Sequence, residues 1–190
     1  MIMEVLQPAW PVTDNIIAGV TTRIGGCSKA PFNHFNLASH VGDNIEHVKK
    51  NRAALNTYVK SQANKSTLKL DWHWLNQTHS VDVIEATSPS DSEPTADAIW
   101  TFRTTQVCAV LTADCLPVLL ADRKGRAVGA IHAGWRGLCH GIIGNCIRQI
   151  CDTYNQSHKD QVRPIDLLAW LGPAIGPQSF EVGNDVYHAF

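Results

Sequence analysis

The chain has no long apolar stretch, no basic run and no excess of either charge. Its net charge is −1 at neutral pH, which leaves no electrostatic case for nucleic acid or for an anionic membrane surface as a partner. No run approaches the roughly 18 apolar residues needed to span a bilayer. The opening MIMEVLQPAW carries an acid and a proline where a signal peptide needs a basic start and a longer apolar core, so a cytoplasmic protein is expected. None of the six cysteines (27, 108, 115, 139, 146 and 151) forms a CxxC pair, and without an export signal they are not read as a disulfide framework. No internal repeat or low-complexity tract is present. What remains is 190 residues, 44% apolar and 17% charged, enough to bury a proper core in one globular domain.

The informative stretch is 112–137, TADCLPVLLADRKGRAVGAIHAGWRG. Segments 116–121 and 126–131 are short and largely apolar, separated by Asp122-Arg123-Lys124-Gly125, which has the Asp and Gly of a reversing turn. A two- or four-residue loop centred there pairs Cys115 with His132, their Cβ atoms about 4.5–5.5 Å apart. A three-residue loop with Gly125 as a bulge shifts the register by one and sets the two askew. A thiol and an imidazole at one end of a sheet suit a borderline metal such as zinc, or a nucleophile and its base. Each also has a plain reading: Cys before a strand is a common core residue, and His after one is commonly a hydrogen-bonder. The crowding of Asp114, Cys115, His132 and Arg136 onto strand ends and the turn into a helix favours a site.

Elsewhere, residues 15–23 read as a strand and 24–27 as a glycine turn. With Arg23 before Gly25-Gly26 that turn could hold an anion, although a simple hairpin turn explains it as well. Residues 43–55 read as a helix N-capped by Asp43, with Ile45, Val48 and Leu55 on its inner face. His79, beside Gln77 and before the alternating Val81, Val83 and Ile84, is by itself a surface or hydrogen-bonded histidine. Residues 88–96 form a polar loop, Asp97-Ala98 opens a further segment, 107–111 is a buried strand and 167–171 another. A long helix is expected from Gly134, with Leu138, Cys139, Ile142, Ile143, Cys146, Ile147 and Ile150 on one face. Its first N–H groups together with Arg136 offer a place for phosphate or carboxylate. Trp135 reads equally as a core residue or as a wall on which a flat base stacks.

TADCLPVLLAD, AIHAGWRGL and AWLGPAIGPQSFEVGNDV together closely resemble the YfiH family, also called the multicopper polyphenol oxidase or laccase-like domain family. GVTTRIGGCS, FNLASHVGDN, Asn51-Arg52 and WLNQTHS extend the resemblance over nearly the whole chain. The resemblance implies an α+β fold with mixed β-sheets sandwiched between helices, in a single domain over 1–190 that stops short of the family's usual C-terminus. It implies a zinc-dependent enzyme acting as a phosphorylase on adenosine, inosine and methylthioadenosine and as an adenosine deaminase. Purine nucleosides and phosphate would be its partners. Carried over by motif, the metal ligands are His79, Cys115 and His132. Asp114, Arg136 and Glu181 are the candidate catalytic residues, and Arg23, Gln77 and Arg136 the candidates for holding substrate or phosphate.

Three alternatives accompany this reading. A copper oxidase would need paired His-x-His motifs for a trinuclear cluster, and the nine histidines contain none. A metal-free hydrolase would use Cys115 as nucleophile and His132 as base. A non-enzymatic factor in peptidoglycan quality control would use the metal only for folding.

Overall fold

The computed structural model describes residues 3–63, 67–88 and 92–190. The fold is α+β, built from helices and several mixed sheets, as the resemblance implied. The chain divides into two compact units, Met1–Ala9 with Ile17–Leu70, and Trp10–Ile16 with Asp71–Phe190.

In the first unit, β1 (Val5–Leu6) pairs antiparallel with β2 (Val20–Thr21). The strand expected over 15–23 is thus only two residues long, because β1 offers it no longer edge and the preceding residues turn, Ile16 N–H donating to the Thr13 carbonyl. The glycine turn is present: Gly25 and Gly26 have φ of 88° and 78°, and a Cβ at Gly26 would fall 2.3 Å from the His34 carbonyl oxygen. The helix α1 (Ile45–Gln62) is capped by Asn44, whose side chain accepts the Glu46 N–H. Asp43, the expected cap, lies one residue too early and instead accepts from Asn44 N–H and the Asn36 amide. Asn51 is buried on the inner face of α1. Its oxygen accepts from Cys27 N–H, and its amide nitrogen donates to Ser28 Oγ and to the His34 and Asn36 carbonyls. Arg52 Nε donates to the Leu37 carbonyl at 2.8 Å. The Asn-Arg pair therefore staples the 27–37 loop onto its helix.

The second unit runs β3 (Asp71–His73), β4 (Val83–Glu85), β5 (Ala98–Thr101), β6 (Gln106–Cys108), β7 (Leu116–Asp122), β8 (Val128–Ala133), α2 (Trp135–Cys139), α3 (Ile142–Ser157), β9 (Leu167–Leu171) and α4 (Asn184–Tyr187). Strands β3 and β6 make a parallel pair. The main sheet has the order β4-β5-β8-β7-β9, parallel between β4 and β5 and antiparallel elsewhere. Its central strands are apolar on both faces because both are covered. Trp100, Val118, Leu120 and Ile131 meet Ile142, Cys146, Ile150 and Tyr154 of α3 on one face, while Ile99 and Ala130 pack with Leu75, Ala86 and Ala96 on the other. Of the polar loop expected over 88–96, residues 89–91 lie outside the described residues.

Two local expectations are corrected. The helix expected from Gly134 is broken, α2 stopping at Cys139 and α3 starting at Ile142, because Gly141 adopts the left-handed conformation at φ 86°. The β7–β8 register pairs Leu116 with Ala133 and Pro117 with His132, two residues away from the expected alignment. The cause is Asp122, which ends β7 by accepting the N–H groups of Lys124 and Arg126, so the reversal starts one residue later. A shift of two keeps every side chain on its face. Cys115 and His132 therefore stay on the same side of the sheet but become diagonal neighbours.

No helix among the described residues is long and apolar enough to cross a membrane.

Candidate metal centre

Three segments far apart in sequence deliver His79, Cys115 and His132 to one place. Each offers a donor atom, and all three atoms lie within 4.8 Å of one another, the only such cluster of His, Cys, Asp and Glu among the described residues. His132 is on β8 and buried, Cys115 immediately precedes β7 and is half-buried, and His79 is exposed on the loop before β4. Cys115 Sγ lies 3.7 Å from His79 Nε2. Tetrahedral zinc with ordinary bond lengths separates a sulfur and a nitrogen ligand by about 3.6 Å, so the spacing fits an ion between them. The two imidazoles meet edge to face, with centroids 4.8 Å apart and planes at 75°.

Gly134 keeps the space between these donors open. A Cβ there would fall 2.7 Å from His79 Cδ2, 3.2 Å from Cys115 Sγ and 3.5 Å from His79 Nε2. Extending the hairpin register one step beyond Leu116–Ala133 sets Cys115 opposite this glycine, so the residue facing the thiol has no side chain to fill the gap.

Asp97, at the start of β5, is the residue that sequence reasoning missed. It is fully buried. Its Oδ1 accepts from His132 Nδ1 at 2.7 Å and from His79 N–H at 3.0 Å. Its Oδ2 accepts from Ser80 N–H at 2.7 Å, Ser80 Oγ at 2.8 Å and Thr78 N–H at 3.1 Å. Burial pushes this carboxyl's pKa up, but the bonds from His132, Ser80 and Thr78 outweigh it and hold the value below the usual range. The signal was present in the sequence: an acid between Ala96 and Ala98, at the mouth of the apolar run AIW, has to be buried and has to find donors. At Cys115 burial and the charges of Asp114 and Asp97 all push the thiol pKa up.

The other candidates fall as follows. The Gln77 amide is fully engaged with the backbone of Leu111, donating to its carbonyl and accepting its N–H, both at 2.7 Å. It ties the His79 loop to the segment that leads into Cys115. Asp114 is exposed beside Cys115, and its carbonyl accepts from Ile175 N–H. Arg136, in the first turn of α2, is about half exposed, lies over the Trp135 ring at 4.2 Å and stands 3.9 Å from the Asp185 carboxylate. Glu181 is exposed in the segment before α4. Arg23 belongs to the first unit, where its Nε donates to the Asn33 carbonyl.

The family described as "Multi-copper polyphenol oxidoreductase laccase" matches residues 17–190. The chain is 41% identical over 187 residues to an Escherichia coli K12 protein named "Purine nucleoside phosphorylase YfiH", covering 98% of this chain and 70% of that one. It is 44% identical over 188 residues to a Haemophilus influenzae protein named "Purine nucleoside phosphorylase", covering 99% of this chain and 70% of that one. Among solved structures, a Neisseria meningitidis protein superimposes with a TM-score of 0.82 at 42% identity, covering 98% of this chain and 69% of that one. YlmD from Geobacillus stearothermophilus gives 0.78 at 31% identity, covering 91% and 63%. The chain thus belongs to the multi-copper polyphenol oxidoreductase laccase family, the YfiH family whose motifs it carries.

Proposed function

We propose that this chain is a zinc-dependent purine nucleoside phosphorylase, acting on adenosine, inosine and methylthioadenosine, that also deaminates adenosine. The observation that carries this reading is the convergence of His79, Cys115 and His132 on a gap that Gly134 keeps open. The names of the relatives in Escherichia coli and Haemophilus influenzae support the substrate class.

Nε2 of each histidine and Sγ of Cys115 would hold the ion, three protein donors being the set that leaves a fourth position for chemistry. Zinc held there would supply Lewis acidity and a nucleophile at neutral pH. Arg136 is the phosphate holder: its guanidinium faces solvent and is oriented against the Trp135 ring, and such a fork binds phosphate oxygens through charge-assisted hydrogen bonds. Asp114 and Glu181, both exposed carboxylates, are the proton carriers, Asp114 being adjacent to a ligand. His132, whose Nδ1 is held by Asp97 at 2.7 Å, would offer its Nε2 to the ion.

The copper oxidase reading is less well supported. Two His and one Cys can serve a blue-copper site, but oxygen reduction needs further copper ligands, and the described residues hold no second donor cluster.

The test combines metal analysis with product identification for each nucleoside, with and without phosphate. Equimolar zinc, free purine base and pentose 1-phosphate formed only with phosphate, and ammonia from adenosine alone are expected. If His79→Ala or Cys115→Ala keeps wild-type turnover with no bound metal, the reading is wrong. Copper content with oxygen uptake on a diphenol would replace it with the oxidase.

A further inference from the structure

We infer that Asp97 is the positioning residue of this centre: one buried carboxylate sets both the direction of His79 and the tautomer of His132. The inference rests on the reading of His79, Cys115 and His132 as metal ligands.

The carboxylate acts on each histidine differently. It reaches His132 through the side chain, accepting Nδ1–H at 2.7 Å. Because an ionised carboxylate only accepts, a proton must sit on Nδ1, and of the two neutral tautomers the bond selects the one with its lone pair on Nε2. The backbone repeats the link, as the Asp97 carbonyl accepts the His132 N–H at 2.7 Å. His79 it reaches through the main chain. The N–H groups of Thr78, His79 and Ser80 all point at its two oxygens. His79 itself has φ 60°, a left-handed conformation that few non-glycine residues adopt and that persists only where its surroundings enforce it. Three consecutive N–H groups converging on one anion are such an enforcement. The imidazole of His79 projects from that turn, so the carboxylate fixes its direction without touching the ring.

Only a carboxylate satisfies this arrangement. Oδ1 faces the donors of His132 and His79, and Oδ2 faces those of Ser80 and Thr78. An asparagine of the same shape must turn its NH2 group toward one set or the other. Turned toward Ser80 and Thr78, it opposes two N–H groups and a hydroxyl. Turned toward His132, it donates to Nδ1 and favours the Nε2–H tautomer, whose proton an incoming metal must displace.

The experiment compares metal-stripped wild type and Asp97→Asn by zinc titration against a chromophoric chelator and by nitrogen-15 imidazole spectra. In the wild type His132 carries its proton on Nδ1 before and after zinc is added. In Asp97→Asn zinc affinity falls by about 10- to 100-fold, and the His132 signal moves to the Nε2–H tautomer or to a mixture. Affinity within about threefold of wild type together with an unchanged tautomer overturns the proposal. A wild-type His132 found as the Nε2–H tautomer also overturns it, and that measurement stands even if the variant does not fold. A wild type that binds no zinc, with His79→Ala and Cys115→Ala unaltered, refutes the ligand reading instead; the tautomer comparison in apoprotein still decides what Asp97 does.

Discussion

Replacing Gly134 by alanine tests whether the gap between the donors is functional. The backbone there has φ −59° and ψ 155°, a region open to any L-residue, so the methyl group brings no torsional penalty. Its effect is steric, with Cβ landing 2.7 Å from His79 Cδ2 and 3.2 Å from Cys115 Sγ. Comfortable carbon contact begins near 3.5 Å, so the imidazole must retreat by about 0.8 Å. Metal sites tolerate errors of about 0.2 Å in ligand placement. Zinc affinity should therefore fall at least about 100-fold, or roughly 2.7 kcal/mol. Metal-free stability should hardly change. The exposed His79 ring can move toward solvent. The gain of about 0.4–1 kcal/mol from stiffening the unfolded chain is offset by alanine being a poorer N-cap than glycine by a similar amount. Zinc competition titration and urea unfolding in chelator measure the two effects separately. Wild-type affinity in Gly134→Ala would refute the steric reasoning. Loss of affinity together with a large loss of metal-free stability would show that the glycine serves the fold rather than the gap.

The remaining predictions concern Arg136 and the buried ion pair of the hairpin turn. Arg136→Gln should raise the KM for phosphate about 10- to 100-fold, since it removes a charge-assisted fork, and leave ammonia release from adenosine nearly unchanged; varied-phosphate kinetics and an ammonia assay read the two. Asp122 is fully buried, and its oxygens accept from Arg126 Nε and from an outer guanidinium nitrogen, both at 2.8 Å. Burial raises its pKa, but the bonds and charge of Arg126 prevail and the net shift is downward. A lowered folded-state pKa means that this stabilisation is complete above the unfolded value of about 3.9 and fades as pH falls through the lower folded value. Asp122→Asn should lower stability by about 1–3 kcal/mol, because it removes charge-assisted hydrogen bonds at a buried acceptor, while Arg126 keeps its ion pair with Asp160 and its bond to the Gln161 carbonyl. It should also flatten the acid limb of a denaturation-against-pH profile; an unchanged limb would remove Asp122 from the acid response.

The parts of the fold legible in the sequence were those set by side-chain periodicity. The run LLAWL is strand β9 (Leu167–Leu171), and the spacing of Ile142, Cys146 and Ile150 is the buried face of α3. The parity that sets Cys115 and His132 on one side of the sheet is that of the two- or four-residue loop, one of the two registers the sequence left open. What stayed hidden depends on which acceptor a backbone N–H finds. Asp122 against Asp43 shows the difference: the first ends its strand by accepting two turn N–H groups, while the second yields the cap to Asn44. Gly141 could as well have sat inside a helix, since nothing in its sequence neighbourhood demands the positive φ it adopts. His79 was legible by resemblance alone, because its own neighbourhood has no metal-ligand spacing. Asp97 joins loops with no sequence relation to one another, and pairwise patterns do not reach that far.

The surroundings of Cys115 also separate a metal ligand from a nucleophile. A catalytic cysteine needs a low pKa, supplied by a positive neighbour or a helix N-terminus. Here the protein does the reverse, since burial and the carboxylates of Asp114 and Asp97 all disfavour the thiolate. The nearest imidazole nitrogen, His79 Nε2, stands 3.7 Å away on an exposed ring. His132, which would serve as the base, already has its Nδ1 proton committed to Asp97, an arrangement also found in hydrolase triads. The His–Asp pair alone therefore does not decide between the two chemistries. At the thiol, burial and the two carboxylates weigh against a free thiolate, and a divalent cation in the gap would reverse the electrostatic sign around Sγ. With a cation there, the carboxylates of buried Asp97 and exposed Asp114 would balance its charge. The features that disfavour Cys115 as a free nucleophile are ones a bound cation would offset.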